Sequence, residues 1–154
     1  MTPMIDRATI SDTAEIVGLV NKNAQIGLML GKSPYDIYRN VLSFFVFRKD
    51  GAVVGCARLR VVWKNLAEIC SIAVEDELQN HGIGRQLVRA CVEEAKRVRV
   101  EQVFALTYQC DFFAKCGFRE VPRESLPHKV FGDCLNCPKV ECCDERAFIM
   151  DIVQ

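Results

Sequence analysis

The sequence predicts a single mixed α/β domain whose central sheet is mostly antiparallel, twisted and flanked by helices. Three observations predict it. Asp50-Gly51 lies between two runs rich in Val, Phe and aromatic residues, the pattern of a tight hairpin. A long amphipathic helix follows Gly84. Short strand-like runs recur on both sides of that helix. The chain has 154 residues, close to the length of one domain, and half of them are hydrophobic, enough to build a core. The whole of 1–154 is therefore read as one domain.

The elements follow in order. Ile5 to Ala8 is an edge strand, and Ser11-Asp12 caps a helix whose apolar positions Ile16, Leu19 and Val20 recur at helical spacing. Gly27 and Gly31 break the next stretch. Ser33-Pro34 is an N-cap followed by proline at the first helical position, opening a short helix through Tyr38. Ser43–Arg48, Ala52–Trp63 and Leu66–Val74 are three strands, turning at Lys49-Asp50-Gly51 and at Asn65. In the long helix Leu87, Val88, Cys91, Val92, Ala95 and Val98 make one apolar stripe. Glu93 and Arg97 make an i,i+4 pair on its outer side. Gln102–Thr107 is a strand, Asp111–Cys116 a short helix ended by Gly117, and Phe118–Val121 and Arg146–Val153 are the last strands. Between these two, residues 122–145 form a long irregular loop with three prolines.

Composition narrows the function. Lys plus Arg and Asp plus Glu are 20 each, so no global charge favours nucleic acid or a membrane surface. No apolar run approaches the roughly 20 residues of a bilayer span, and the first residues lack a basic-then-apolar leader. A cytoplasmic protein is expected. Nine scattered cysteines without an export signal do not read as a disulfide framework. Cys56, Cys70, Cys91, Cys110 and Cys116 lie in apolar or periodic segments, where a thiol acts as a small hydrophobe.

The most informative stretch runs from the strand Ser71-Ile72-Ala73-Val74 through Gln79-Asn80-His81-Gly82-Ile83-Gly84-Arg85 into the amphipathic helix. A strand entering a glycine-containing turn that opens a helix points several backbone N–H groups at one spot, where the helix dipole favours an anion. Gly82 and Gly84 let phosphate oxygens approach the backbone, and Arg85 adds positive charge. His81 faces solvent. There is no GxxxxGK[ST] P-loop. The dinucleotide fingerprint also lacks its third glycine, and the preceding strand follows a hairpin instead of opening a βαβ unit. The alternative is a glycine turn that merely redirects the chain.

Gln79-x-x-Gly82-x-Gly84 after SIAV74, together with FFAKCGF118, resembles the acetyl-CoA signature and second motif of the GNAT N-acetyltransferase superfamily. The strings GLMLGKS33, AEICSIAV74, FALT107, FFAKCGF118 and SLPHKV130 further resemble N-acetylglutamate synthases, in particular the short form without an amino-acid-kinase domain. The resemblance implies the GNAT fold and acetyl transfer from acetyl-CoA to the α-amine of an amino acid. L-glutamate is the first expectation, in the opening step of arginine biosynthesis, by direct attack in a ternary complex. It places the cofactor on Ile72, Ala73, Val74, on residues Gln79, Asn80, His81, Gly82, Ile83, Gly84 and Arg85, and beside Phe113. The main-chain N–H of Ile72 or Val74 would stabilise the oxyanion.

Glu68 is the expected base, since a carboxylate there serves several relatives, and partial burial would suit it to accept a proton. The alternative is a solvated strand-edge glutamate. Phe113 stands where many members carry a tyrosine that protonates the leaving thiolate, so no general acid is assigned. Lys32, Arg58 and Lys129 are the candidate cations for the substrate carboxylates, with Arg60 on the same strand face as Arg58. His128 is a lesser candidate in the loop near the pocket. Cys134, Cys137, Cys142 and Cys143 have enough sulfur for zinc but an unusual spacing. Reduced thiols are favoured over a zinc site or a Cys134–Cys137 disulfide. Acetyl-CoA and a small amino acid are thus the expected partners, with a homodimer considered. The rivals are a sister enzyme acting on another amine or peptide N-terminus, and a weakly catalytic acetyl-CoA sensor kept alive by the missing tyrosine.

Overall fold

The computed structural model describes residues 4–25, 33–126 and 145–152. Its hairpins form where the turn chemistry demands them. β2 (Phe44–Lys49) and β3 (Ala52–Trp63) meet at Asp50-Gly51, whose φ values of 53° and 81° match the type I′ turn that suits the twist of paired strands. β4 (Leu66–Val74) returns antiparallel to β3. β1 (Met4–Arg7) adds an antiparallel edge to β2, as expected but one residue earlier.

The described strands make one sheet in the order β1-β2-β3-β4-β5-β7-β6, with β5 (Gln102–Thr107), β6 (Arg119–Val121) and β7 (Arg146–Asp151). Every neighbouring pair is antiparallel except β4–β5, which is parallel. β4 therefore also opens a βαβ crossover, correcting the sequence expectation. The hairpin signal is local, whereas the parallel partner lies beyond a whole helix, α3 (Ile83–Val98).

α1 (Thr13–Gln25) and α2 (Pro34–Asn40) cover one face of the sheet, and α3 covers the other. On the first face Ile16, Leu19, Val20, Ile37 and Val41 pack on Phe44, Val46 and Cys56. On the second, Leu87, Val88, Cys91 and Ala95 of α3 pack on Phe47, Ala57, Leu59, Ala67 and Ile69. The α3 stripe stops short of expectation: Val98 is 40% exposed, because the last turn has passed the packed sheet. Cys56 and Cys91 are fully buried, and burial pushes the Cys56 thiol up to about 12, so both behave as small hydrophobes.

The caps divide. Ser33 caps α2 as expected, its hydroxyl accepting from the Asp36 N–H at 3.1 Å. At α1 the start is Thr9, not Ser11-Asp12, with a single 3₁₀ turn (Ile10–Asp12) before the helix. The Asp12 carboxylate accepts from the Thr9 N–H at 2.7 Å and takes two bonds from the Arg48 guanidinium, each 2.8 Å. Arg48 holds the Asp12 carboxyl below the usual carboxylate range. On α3, Arg97 pairs with Glu94, which also faces Arg7 of β1, while Glu93 pairs with Lys96. α4 (Cys110–Lys115) starts one residue earlier than expected and is followed by Gly117 at φ 96°.

Candidate active site

The parallel pairing of β4 with β5 is short. It comprises Leu66↔Gln102, Ala67↔Val103 and Glu68↔Phe104, and ends there. Beyond it β4 continues to Val74 beside β3, while β5 continues to Thr107 beside β7. The two strands thus present facing edges without a ladder between them, at the carboxyl end of a parallel pair, where open α/β sheets bind ligands.

A bulge accompanies this parting. Cys56 opposes Ala73 but Arg58 opposes Cys70, so β4 carries one extra residue. Ser71 sits there with φ 54°, a left-handed conformation that a non-glycine residue rarely adopts. After the bulge the side chains change sides. Ala73 joins the α1–α2 face, while Ile72 and Val74 lie against the α3 core. The Glu75 N–H donates to the Val54 carbonyl at 2.9 Å, so amides two apart from it face β3. By alternation the N–H groups of Val74 and Ile72 face the other way, toward β5.

Next to the ends of these strands lies the α3 entry. Asn80 and Gly82 both have positive φ, 66° and 86°, and Gly82 is the residue before the helix. A Cβ at Gly82 would meet nothing within 4 Å, so its need for glycine is purely conformational. The first helical bond runs from the Gln86 N–H to the Gly82 carbonyl at 3.1 Å. The amides of Ile83, Gly84 and Arg85 precede it and have no acceptor within the helix, which makes this an anion-favouring end. Gln79, Asn80, His81 and Arg85 are exposed, whereas the Ile83 side chain belongs to the core. The Gln79 side chain turns back onto the Val74 carbonyl at 3.2 Å, a brace for the turn.

Gly84 has a packing reason beside the one the sequence suggests. A Cβ there would stand 3.1 and 3.2 Å from Phe112 ring atoms, so the glycine makes room for α4. Phe112 is the ring that faces Gly84. Phe113 is 2% exposed, edge-on to both Phe112 and Phe118, and lies in the core.

Glu68 is at the last paired position before the strands part. It is 6% exposed, which overturns the solvated alternative. Directly opposite it on β3 stands Arg60, whose guanidinium donates to the Glu68 carboxylate. Burial and this cation act in opposite directions on the carboxylate's proton affinity. Arg58 is anchored within the protein. Its Nε donates to Ser43 Oγ at 2.8 Å and its Nη2 to Asn40 Oδ1 at 3.0 Å, tying the end of α2 to the sheet. Lys32, Lys129, His128 and Cys134, Cys137, Cys142 and Cys143 lie outside the described residues. Among the described residues no group of His, Cys, Asp and Glu could hold a metal ion, and no helix is long and apolar enough to cross a membrane.

A family model described as the acetyltransferase (GNAT) family matches residues 25–118. An uncharacterized N-acetyltransferase of Chlorobaculum tepidum is 37% identical over 145 residues, 94% of each chain. The chain belongs to the GNAT family. It is a GNAT-type acetyl-CoA N-acetyltransferase. Another relative, the amino-acid acetyltransferase of Mycobacterium tuberculosis, is 34% identical over 134 residues, 85% of this chain and 76% of that one. Among solved GNAT structures, N-acetylglutamate synthase from Neisseria gonorrhoeae complexed with coenzyme A and N-acetyl-glutamate superposes with a TM-score of 0.90 at 22% identity. That match covers all of this chain but 36% of the gonococcal enzyme, so this chain spans about a third of it and the likeness is one of fold. A Mycobacterium tuberculosis protein in complex with CoA gives a TM-score of 0.84 at 28% identity, covering 97% of this chain and 99% of that one.

Proposed function

We propose that the protein acetylates the α-amine of an amino acid, L-glutamate first, making N-acetylglutamate for arginine biosynthesis. The observation that carries the reading is the parting of β4 and β5 at a buried glutamate, in a chain 34% identical to an amino-acid acetyltransferase. In this reading the pyrophosphate of acetyl-CoA rests on the amides from Gln79 to Arg85, and the pantetheine arm lies along the free edge of β4. The N–H of Ile72 or Val74 meets the thioester oxygen as it becomes negative.

The amine nitrogen bonds to the thioester carbonyl carbon, the C–S bond breaks, and CoA leaves as the thiolate. The proton lost by the amine passes to Glu68 and from there to solvent, so the carboxylate must be ionised when the acceptor binds. No side chain is assigned to protonate the thiolate, since Phe113 has no proton to give and is buried in the core. Lys32, Arg58 and Lys129 are the proposed partners of an acidic acceptor's carboxylates; Asn40 and Ser43 fix the Arg58 guanidinium without neutralising its charge.

The test is protein purified under reducing conditions, incubated with acetyl-CoA and a panel of amino acids and short peptides, with products read by mass spectrometry. Acetylglutamate is expected well above every other product. A dominant acetylglutamine or acetyl-peptide would reassign the acceptor, and the absence of any product would remove the catalytic reading.

A further inference from the structure

A buried carboxylate is a poor base unless something keeps it charged, because burial among apolar groups favours the neutral acid. The surroundings of Glu68 are of that kind. Its parallel partner is Phe104, fully buried, and Phe104 clusters with Leu66 and Leu126. The Glu68 side chain is 8% exposed. Against this, Arg60 stands directly opposite in the β3–β4 register, where cross-strand side chains are closest, and its guanidinium donates to Glu68 Oε1. Resting on the reading of Glu68 as base, we propose that Arg60 is a positioning residue, holding the Glu68 carboxylate ionised and fixed at the point where β4 and β5 part.

Among the described residues, Arg60 is a cation bonded to Glu68. Arg58, two residues earlier on β3, is directed to Ser43 and Asn40. On β4 the next residue of the same face is Cys70, opposite Arg58, and β5 contributes the apolar Phe104. The pair also explains how a base can sit beneath the sheet surface. A guanidinium is always charged and forks onto a carboxylate, so the ion pair supplies locally the charge stabilisation that water would otherwise give. Arg60 does not touch the reacting atoms in this arrangement; it acts through Glu68.

The test is the pH profile of kcat/KM for glutamate in wild type, Arg60→Gln, Arg60→Lys and Glu68→Gln. The acidic limb carries protonation of the substrate amine, common to all four proteins, together with that of Glu68, so differences between their limbs report Glu68. Loss of the cation in Arg60→Gln is expected to move that limb upward by about one pH unit or more, with a fall in neutral-pH turnover. Arg60→Lys is expected to keep most of the turnover and to shift the limb by less. A merely structural Arg60 would lower the melting temperature and leave the limb in place, and that result in folded Arg60→Gln overturns the proposal. If Arg60→Gln does not fold, the equally uncharged Arg60→Met takes its place, and an acidic limb there identical to wild type overturns the proposal instead. Glu68→Gln separates the two claims: wild-type turnover with the limb retained would remove Glu68 as base, whatever Arg60 does.

Discussion

Gly84→Ala probes the joint between the anion-favouring turn and α4. The new Cβ would stand 3.1 Å from Phe112 Cε1 and 3.2 Å from Cζ, a few tenths of an ångström inside ordinary carbon–carbon contact. Overpacking of this size costs about 1–3 kcal/mol. Alanine recovers up to about 1 kcal/mol of helix propensity over glycine. The net expectation is a loss of about 0–2 kcal/mol, concentrated in the contact with one ring. Phe112→Leu removes the ring atoms that the Cβ would strike, so Gly84→Ala in that background is neutral or slightly stabilising. Urea unfolding of wild type, both single variants and the double variant gives the coupling energy, expected at about 1–2 kcal/mol. CoA affinity by calorimetry is measured on the same four proteins. Because the Cβ points at Phe112, affinity is expected to return together with stability in the double variant. Additive free energies would refute the packing argument. Recovered stability with affinity still lost would show that the glycine is needed by the phosphate. Gly82→Ala is the control, costing about 1–2 kcal/mol from its left-handed backbone, which Phe112→Leu does not relieve.

Three further outcomes are expected. Asp12→Ala removes two 2.8 Å bonds from the Arg48 guanidinium, which keeps its 3.0 Å bond to Asp6, so urea stability should fall by about 1.5–3 kcal/mol. Glu94 is held at about 2 by the bonded Arg97 guanidinium and by Arg7, against burial. Its folded value lies below its unfolded one, so its contribution is full above about pH 4.5 and is lost as pH falls toward about 2, by at most about 3 kcal/mol before screening at the exposed arginines. Urea stability measured against pH should flatten over that window in Glu94→Gln. At Ser71, φ 54° predicts that Ser71→Gly is close to neutral in thermal unfolding, whereas the β-branched Ser71→Val loses about 1–2 kcal/mol or more.

What the residues reveal before folding is what is decided locally. The Asp50-Gly51 turn, the Ser33-Pro34 cap and the full lengths of β3 and β4 follow from neighbouring residues, and the structure places them there. The α3 entry is legible for the same reason. Contacts between distant segments are not. The parallel β4–β5 pairing rests on three residue pairs across a 16-residue helix, and β7 inserts between β5 and β6, an order that periodicity does not carry. Thr9 displaces Ser11-Asp12 as the start of the first helix because Arg48, far along the chain, helps fix Asp12. The same holds at the site. Glu68 can be singled out by its position in the motif, but its burial and its pairing with Arg60 depend on register. That Asn40 and Ser43 hold the Arg58 guanidinium likewise depends on segments distant in sequence. One trace of the bulge is visible in the sequence: the apolar series Ala67, Ile69, Ile72, Val74 steps by three at Ser71, where an unbroken strand steps by two.

The central claim is that the free edge of β4 beyond Glu68 and the first amides of α3 together receive CoA. Backbone amide NMR during a CoA titration tests it most directly. The largest shift changes are expected at Ile72 and Val74 and across Gly82–Arg85, with small changes at Arg48 of β2 and at Asp12 in the 3₁₀ turn. Saturable CoA binding that leaves Ile72, Val74 and Gly82–Arg85 unmoved would contradict the account.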